Sequence, residues 1–273
     1  MSPRIAARFA QLRAQNRAGF IPFVTAGDPD AQTFARILSG LPRAGADLIE
    51  IGMPFSDPMA EGKPIQASSL RALQSGQTMR RTLEQLQSFR NADPDTPVIL
   101  MGYYNPICAY GLEAFASDAG TAGADGLIVV DLPPEEDEGL RLAAAAHEIA
   151  TIRLATPTSD ANRLQTIVLG ASGFIYYVSL TGVTGAAAID ADAALSRITA
   201  IRAQTDLPVA VGFGIRTQSD AARVAKVADA VVVGSAMVQS ITNALQNQDD
   251  SVEAALTLCS ALSGAVRAAR PKG

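Results

Sequence analysis

The 273-residue sequence has no tryptophan, one histidine and two cysteines. His147 stands in the run Ala143-Ala144-Ala145-Ala146-His147-Glu148, toward the end of an expected helix, where its charge complements the helix dipole. With no second histidine, Ser–His triads and histidine-rich metal sites are disfavoured. Carboxylates, tyrosines and backbone N–H groups are left to carry any acid–base or anion chemistry. Cys108 and Cys259 lie far apart, in neither a metal spacing nor a disulfide framework, which fits a reducing compartment. No Gly-x-Gly-x-x-Gly follows the first expected strand, so a dinucleotide cofactor is disfavoured. No apolar run is long enough to span a bilayer, and Met1-Ser2-Pro3-Arg4 leads into a charged amphipathic segment rather than an apolar signal region. The basic residues are scattered and the net charge is −5, which argues against a nucleic-acid or polybasic membrane surface. A soluble, cytoplasmic protein is expected.

What the chain does have is a substantial core composition, 48% hydrophobic against 18% charged. Eight short apolar segments, at 20–24, 47–51, 98–101, 126–130, 151–154, 174–178, 208–211 and 230–233, read as strands. Helical spacing covers 4–15, 30–41, 63–74, 79–89, 112–119, 161–169, 193–204 and 251–270. Residues 102–106 read as a loop, and Glu135, Glu136 and Asp137 as a first helical turn with acids matched to the dipole. Continuously apolar strands alternating with helices suit buried parallel strands. No linker divides them. The expected fold class is α/β: a single (β/α)8 TIM barrel domain over 1–273, with an extra N-terminal helix and additional helices. A doubly wound open sheet is the alternative, because periodicity does not reveal closure.

The informative residues fall at the C-terminal ends of strands, the active face of such barrels. Glu50 is a lone carboxylate inside an apolar strand, costly unless it points at water, a partner or a substrate. The stretch from Leu48 to Gln66 then holds three prolines and two glycines and carries Ser56, Asp57 and a second carboxylate, Glu61. The bland alternative is a surface loop of solvated acids. Gly182 and Gly185, Gly212 and Gly214, then Gly234-Ser235 follow strands six, seven and eight, where backbone N–H groups and a helix start make an anion site. Ser235 is expected as the N-cap, with its hydroxyl also placed to face a phosphate oxygen. Opposite lie Glu50 and Tyr176, with Phe23, Met101, Tyr103, Val130 and Phe213 nearby. Together these suggest a slot for a flat apolar group that ends in a phosphate.

Four stretches, Pro22-Phe23-Val24-Thr25-Ala26-Gly27-Asp28-Pro29, Glu50-Ile51-Gly52-Met53-Pro54-Phe55-Ser56-Asp57-Pro58, Gly182-Val183-Thr184-Gly185 and Gly212-Phe213-Gly214-Ile215, resemble the tryptophan synthase alpha subunit family. The likeness runs from near Phe9 to the final helix. It implies a barrel that cleaves indole-3-glycerol phosphate to indole and glyceraldehyde 3-phosphate. It implies no cofactor in this subunit, and a pyridoxal-phosphate beta subunit as partner in an α–β–β–α heterotetramer. By the same resemblance Glu50 is the acid–base group and Tyr176 its neighbour. Phe23, Tyr103 and Val130 border the indole. Gly185, Phe213, Gly214, Gly234 and Ser235 hold the phosphate, and Asp57 and Thr184 serve beta-subunit contact and loop closure.

The sequence departs from the family at one important place. The family has Ala-Asp-Gly-Pro where this chain has Ala60-Glu61-Gly62-Lys63, so Glu61 stands where an aspartate meets the indole N–H. Two outcomes are open: Lys63 pairs with Glu61 and holds it away, or the loop re-registers so that the longer side chain reaches the same point. Leu180, where arginine is common, is a smaller departure. The alternatives to a coupled lyase are a ligand-binding subunit that activates its partner, a free-standing indole-releasing lyase, and another phosphate-binding barrel enzyme such as an isomerase of amino-acid biosynthesis.

Overall fold

The computed structural model describes residues 2–179, 191–212 and 214–270, the side chains of 191–193 apart. The chain opens with helix α1 (Pro3–Ala14) and then alternates strand and helix. The strands are β1 (Gly19–Thr25), β2 (Ile49–Gly52), β3 (Val98–Gly102), β4 (Gly126–Val129), β5 (Ala150–Thr151), β6 (Arg153–Ala155), β7 (Ile175–Val178), β8 (Val209–Gly212) and β9 (Ala230–Val233). The helices among them are α2 (Ala31–Gly40), α3 (Lys63–Gln74), α4 (Met79–Ala92), α5 (Tyr104–Tyr110), α6 (Leu112–Ala122), α7 (Glu138–Ala146), α8 (Ala161–Val168), α9 (Ala191–Arg202) and α10 (Gln218–Ala225). The last two are α11 (Ser235–Asn247) and α12 (Ser251–Arg267).

All the pairings are parallel, and the strands run in the order β5-β4-β3-β2-β1-β9-β8-β7-β6. The two ends of that order are consecutive in sequence. Only Ile152 separates β5 from β6, and its N–H donates to Leu127 O at 3.0 Å. The expected fifth strand is therefore one bent strand, paired with β4 at its start and β7 at its end, and the sheet closes on itself. An open doubly wound sheet does not close in this way.

Alternation decides what faces inward. Ile21 and Phe23, Leu48, Ile99 and Met101, Ile128, Ile152, Phe174 and Tyr176, Ala210, Ala230 and Val232 fill the barrel interior. Their neighbours Phe20 and Val24, Ile49 and Ile51, Leu100, Ile175 and Val211 point outward to the helices. Glu50 shares parity with Leu48 and faces in. One end of the interior is stoppered by Ile5, Phe9 and Leu12 of α1, with the Phe9 and Phe174 rings 5.7 Å apart.

Two buried acids sit at the strands' N-terminal ends, and both are paired. Asp47 accepts from Arg17 at 2.7 and 2.8 Å and from Phe20 N at 2.9 Å. Asp125 accepts from Ser2 Oγ, Arg4, Arg90 and Val98 N. These are structural carboxylates. His147 caps the C-terminus of α7 and is exposed, matching its dipole reading.

Three expectations need correcting. Residues 104–110 form α5 rather than loop, because Pro106 lies in its first turn, where a missing N–H costs nothing. Helix α10 was not expected; it starts on a reciprocal capping box between Thr217 and Asp220. Glu135, Glu136 and Asp137 precede α7 instead of forming its first turn. Asp137 turns inward, accepting from Arg153 at 2.7 and 2.9 Å, so its role is ion pairing and not dipole matching.

Candidate active site

Glu50 lies at the C-terminal mouth of the barrel, in register with Phe23 and Ile99. It is 2% exposed, and its Oε2 has no hydrogen-bond partner among the described residues. A buried carboxylate short of donors resists ionisation. Burial, reinforced by the charge of Glu61, pushes Glu50 up to about 8.

Glu61 joins it from the loop after β2. Its Oε2 is also buried and without a partner among the described residues, and burial raises its carboxyl to about 7. Lys63 is the first residue of α3 and is exposed, and no ion pair joins it to Glu61 among the described residues. Of the two open outcomes, withdrawal of Glu61 by Lys63 is therefore the one not seen. Tyr176 faces the same space. Its phenol is driven well above its ordinary value by burial and by the charges of Glu50 and Glu61, which brings all three groups around one cavity.

Glycine ends three of the strands here, and the reason is room. A Cβ on Gly212 would lie 2.2 Å from Tyr176 Oη. One on Gly52 would lie 2.4 Å from the Phe23 ring, and one on Gly102 would lie 2.7 Å from Met53 Cε. The sequence suggests Gly212 as part of an anion loop; the structure gives it the further task of admitting the tyrosine. Phe23 and Tyr103 are each 4% exposed, and Val130 packs half-buried on the interior cluster. Ile65 of α3 also packs on the interior cluster beside Phe23 and Gly234, while Met53 packs on the outer side of the sheet against Gly102. Nothing beyond ordinary apolar placement marked them in the sequence.

Across the mouth, Gly234 is the N-cap of α11 and Ser235 its first helical residue, so the expected N-cap role of Ser235 is corrected. The reason is visible in the backbone: Gly234 O already accepts from Val238 N at 3.1 Å. Among the described residues no side chain caps this helix, which leaves its first N–H groups for another acceptor. Gly234 has φ −106°, and a Cβ there would meet only ordinary contacts at 3.5 Å. Neither its backbone conformation nor contacts among the described residues therefore demand glycine at that point. Gly214 has φ +78°, in the left-handed region that glycine favours. Thr184, Gly185 and Phe213, with Leu180 and Gly182, lie outside the described residues.

Asp57 is exposed and accepts from Ser56 Oγ, and Met59 beside it is 85% exposed. A cavity of about 360 Å³ lies to one side, between the segments after β4 and β6, lined by Val130, Pro133, Arg153 and Thr156. Neither glutamate reaches it.

Comparison with known proteins is consistent along the whole chain. Residues 9–267 match the family model described as tryptophan synthase alpha chain. The chain is 55% identical over 267 residues to the tryptophan synthase alpha chain of Caulobacter vibrioides, covering 98% of this chain and 97% of that one. Among solved structures, tryptophan synthase subunit alpha from Legionella pneumophila superposes with a TM-score of 0.91 at 41% identity, covering 97% of this chain and 98% of that one. A Mycobacterium tuberculosis tryptophan synthase chain gives 0.88 at 35% identity, with 98% and 99% covered.

Proposed function

Since the chain belongs to the tryptophan synthase alpha chain family, we propose that Glu50, Glu61 and Tyr176 carry out that family's lyase reaction in the barrel mouth. The reaction is the retro-aldol cleavage of indole-3-glycerol phosphate to indole and glyceraldehyde 3-phosphate. One proton must reach ring C3, and one must leave the hydroxyl on the carbon attached to C3. The bond between those two carbons then breaks, its electron pair returns to the ring, and the hydroxyl carbon becomes the aldehyde.

Glu50 suits both transfers. A carboxyl held near 8 is protonated at neutral pH and enters the cycle as the acid. Once it has protonated C3 it is a carboxylate whose Oε2 has no donor among the described residues, and it takes the hydroxyl proton. Protonated C3 leaves positive charge on the ring nitrogen. Glu61 is assigned to that N–H, where its charge stabilises the intermediate more than the substrate. Tyr176 positions Glu50 and the substrate. Phe23, Tyr103 and Val130 line the indole side. Gly214, Gly234 and Ser235 are assigned to the phosphate, together with Gly185 and Phe213.

The observation that carries this reading is the buried Glu50 at the mouth, whose Oε2 has no partner among the described residues, in contrast with Asp47 and Asp125, which are paired at the opposite end. Tryptophan synthase alpha chains act with a beta subunit, to which the pyridoxal phosphate belongs. The α–β–β–α heterotetramer, with Asp57 at the contact and Thr184 closing over the site, is the assembly we assign. No helix among the described residues is long and apolar enough to cross a membrane. A single domain working in the cytoplasm is the accompanying assignment.

The test is indole release from indole-3-glycerol phosphate, with and without a beta subunit, by this chain, by Glu50→Gln and by Glu61→Asp. Loss in Glu50→Gln by at least about 100-fold, with activity kept or raised in Glu61→Asp, is expected. Full activity in Glu50→Gln would sink the assignment. The alternative of an activating, non-catalytic subunit has only the altered Glu61–Lys63 segment in its favour, and indole release by the isolated chain would exclude it.

A further inference from the structure

A carboxylate that must meet one N–H needs a backbone that does not drift, and Glu61 sits on a loop. Three bonds shape the turn from within. Glu61 N donates to Pro58 O at 3.0 Å, Gln66 Nε2 donates to Glu61 O at 2.9 Å, and Gln66 N donates to Gly62 O at 3.0 Å. These fix the form of the turn but not its distance from the barrel. A fourth bond does that: Ala60 N donates to the hydroxyl oxygen of Tyr103 at 3.0 Å.

Tyr103 is a rigid post. It directly follows β3 and caps α5, and the next residue's N–H donates to Asp131 Oδ1 at 2.8 Å, fastening it to the segment after β4. Its ring lies 5.4 Å from that of Phe55, at 32°, so the same side chain holds the loop at two points. Burial, with the charge of Glu61, pushes the phenol up to about 12, so the oxygen remains a neutral acceptor throughout the working range.

We propose that Tyr103 is the positioning residue for Glu61: by accepting the Ala60 N–H, its hydroxyl sets how far the Glu61 carboxylate reaches into the mouth. This rests on the assignment of Glu61 to the indole N–H. It also explains how a glutamate serves at this point. The turn is tethered on both sides of residue 61, so the added methylene extends the carboxylate inward rather than shifting the loop. Losing the tether lets the carboxylate wander by a fraction of an ångström to about 1 Å, a displacement that costs up to about 100-fold in rate. Because Glu61 acts on charge that develops after protonation, the loss falls on kcat more than on KM.

The experiment is a double-mutant cycle of Tyr103→Phe and Glu61→Gln in the full chain with its beta subunit, reading kcat and KM for indole-3-glycerol phosphate. Phenylalanine keeps the ring against Phe55 and removes only the acceptor, and circular dichroism checks that each variant is folded. Expected is a drop in kcat of about tenfold to 100-fold in Tyr103→Phe, KM changed less than about threefold, and no further drop when it is added to Glu61→Gln. Equal losses in both backgrounds would overturn the proposal, since the hydroxyl would then act without Glu61. Wild-type kcat in Tyr103→Phe would also overturn it. A silent Glu61→Gln would remove the assignment of Glu61, and the proposal with it, so the two failures are told apart by which variant is silent.

Discussion

Replacing Glu50 by glutamine is expected to destroy activity and, at alkaline pH, to make the protein more stable. Burial holds the Glu50 carboxyl at about 8 against an ordinary value of 4.5. That difference corresponds to about 5 kcal/mol for ionising the group inside the barrel relative to the unfolded chain. In the unfolded chain the proton leaves near pH 4.5; in the folded chain it leaves near pH 8. Between those values the folded state binds more protons than the unfolded state, so stability falls as pH rises through the window and levels off above pH 8. Glutamine does not titrate. The stability difference, variant minus wild type, should therefore grow between pH 5 and pH 9 by roughly 2–5 kcal/mol, allowing for relaxation around the charge. In a chain of this size that is a Tm gap widening by roughly 5–15 °C. Taking the difference cancels the titrating groups that do not interact with Glu50. Thermal melts of both proteins at pH 5, 7 and 9, with lyase activity measured alongside, make the assay. A gap that does not change with pH, or a variant less stable than wild type at pH 9, would refute the argument that burial holds the Glu50 carboxyl protonated.

Two further outcomes follow from the packing. Gly212→Ala places a methyl 2.2 Å from Tyr176 Oη, so the tyrosine must leave its site; indole release should fall at least about tenfold while the fold persists, and wild-type kinetics would show that Tyr176 is not needed where it stands. Asp137→Asn removes the partner of Arg153 in a pair that is 8% exposed on both sides, which should cost about 3 kcal/mol in urea unfolding; a loss below about 1 kcal/mol would show that the carbonyls around Arg153 suffice to hold it.

Glu50 was legible in the sequence because a charge in an apolar strand has few physical excuses, and its parity with Leu48 already aims it inward. The barrel was legible for the same reason: eight apolar runs alternate with helical spacing, and no composition break divides them. What the sequence did not reveal depends on neighbours that are distant along the chain. The role of Gly212 is set by the ring of Tyr176 on the adjacent strand, which a glycine-rich stretch alone does not disclose. Asp137 looked like a helix-start acid because local spacing hides Arg153, sixteen residues away. Ser235 looked like an N-cap because serine favours that position, yet the backbone turns helical one residue earlier. The fate of Glu61 turned on whether Lys63 would reach it. That depended on where α3 begins, and the helix starts with the lysine facing water.

Helix α1 contributes no residue to the chemistry, yet Ile5, Phe9 and Leu12 seal the far end of the barrel below Glu50. The low polarity that makes Glu50 an acid at neutral pH is thus a property of a sealed vessel, and its floor is supplied by the first turns of the chain. In that sense the opening helix belongs to the solvent of the reaction: it decides what medium the proton moves through without touching the proton.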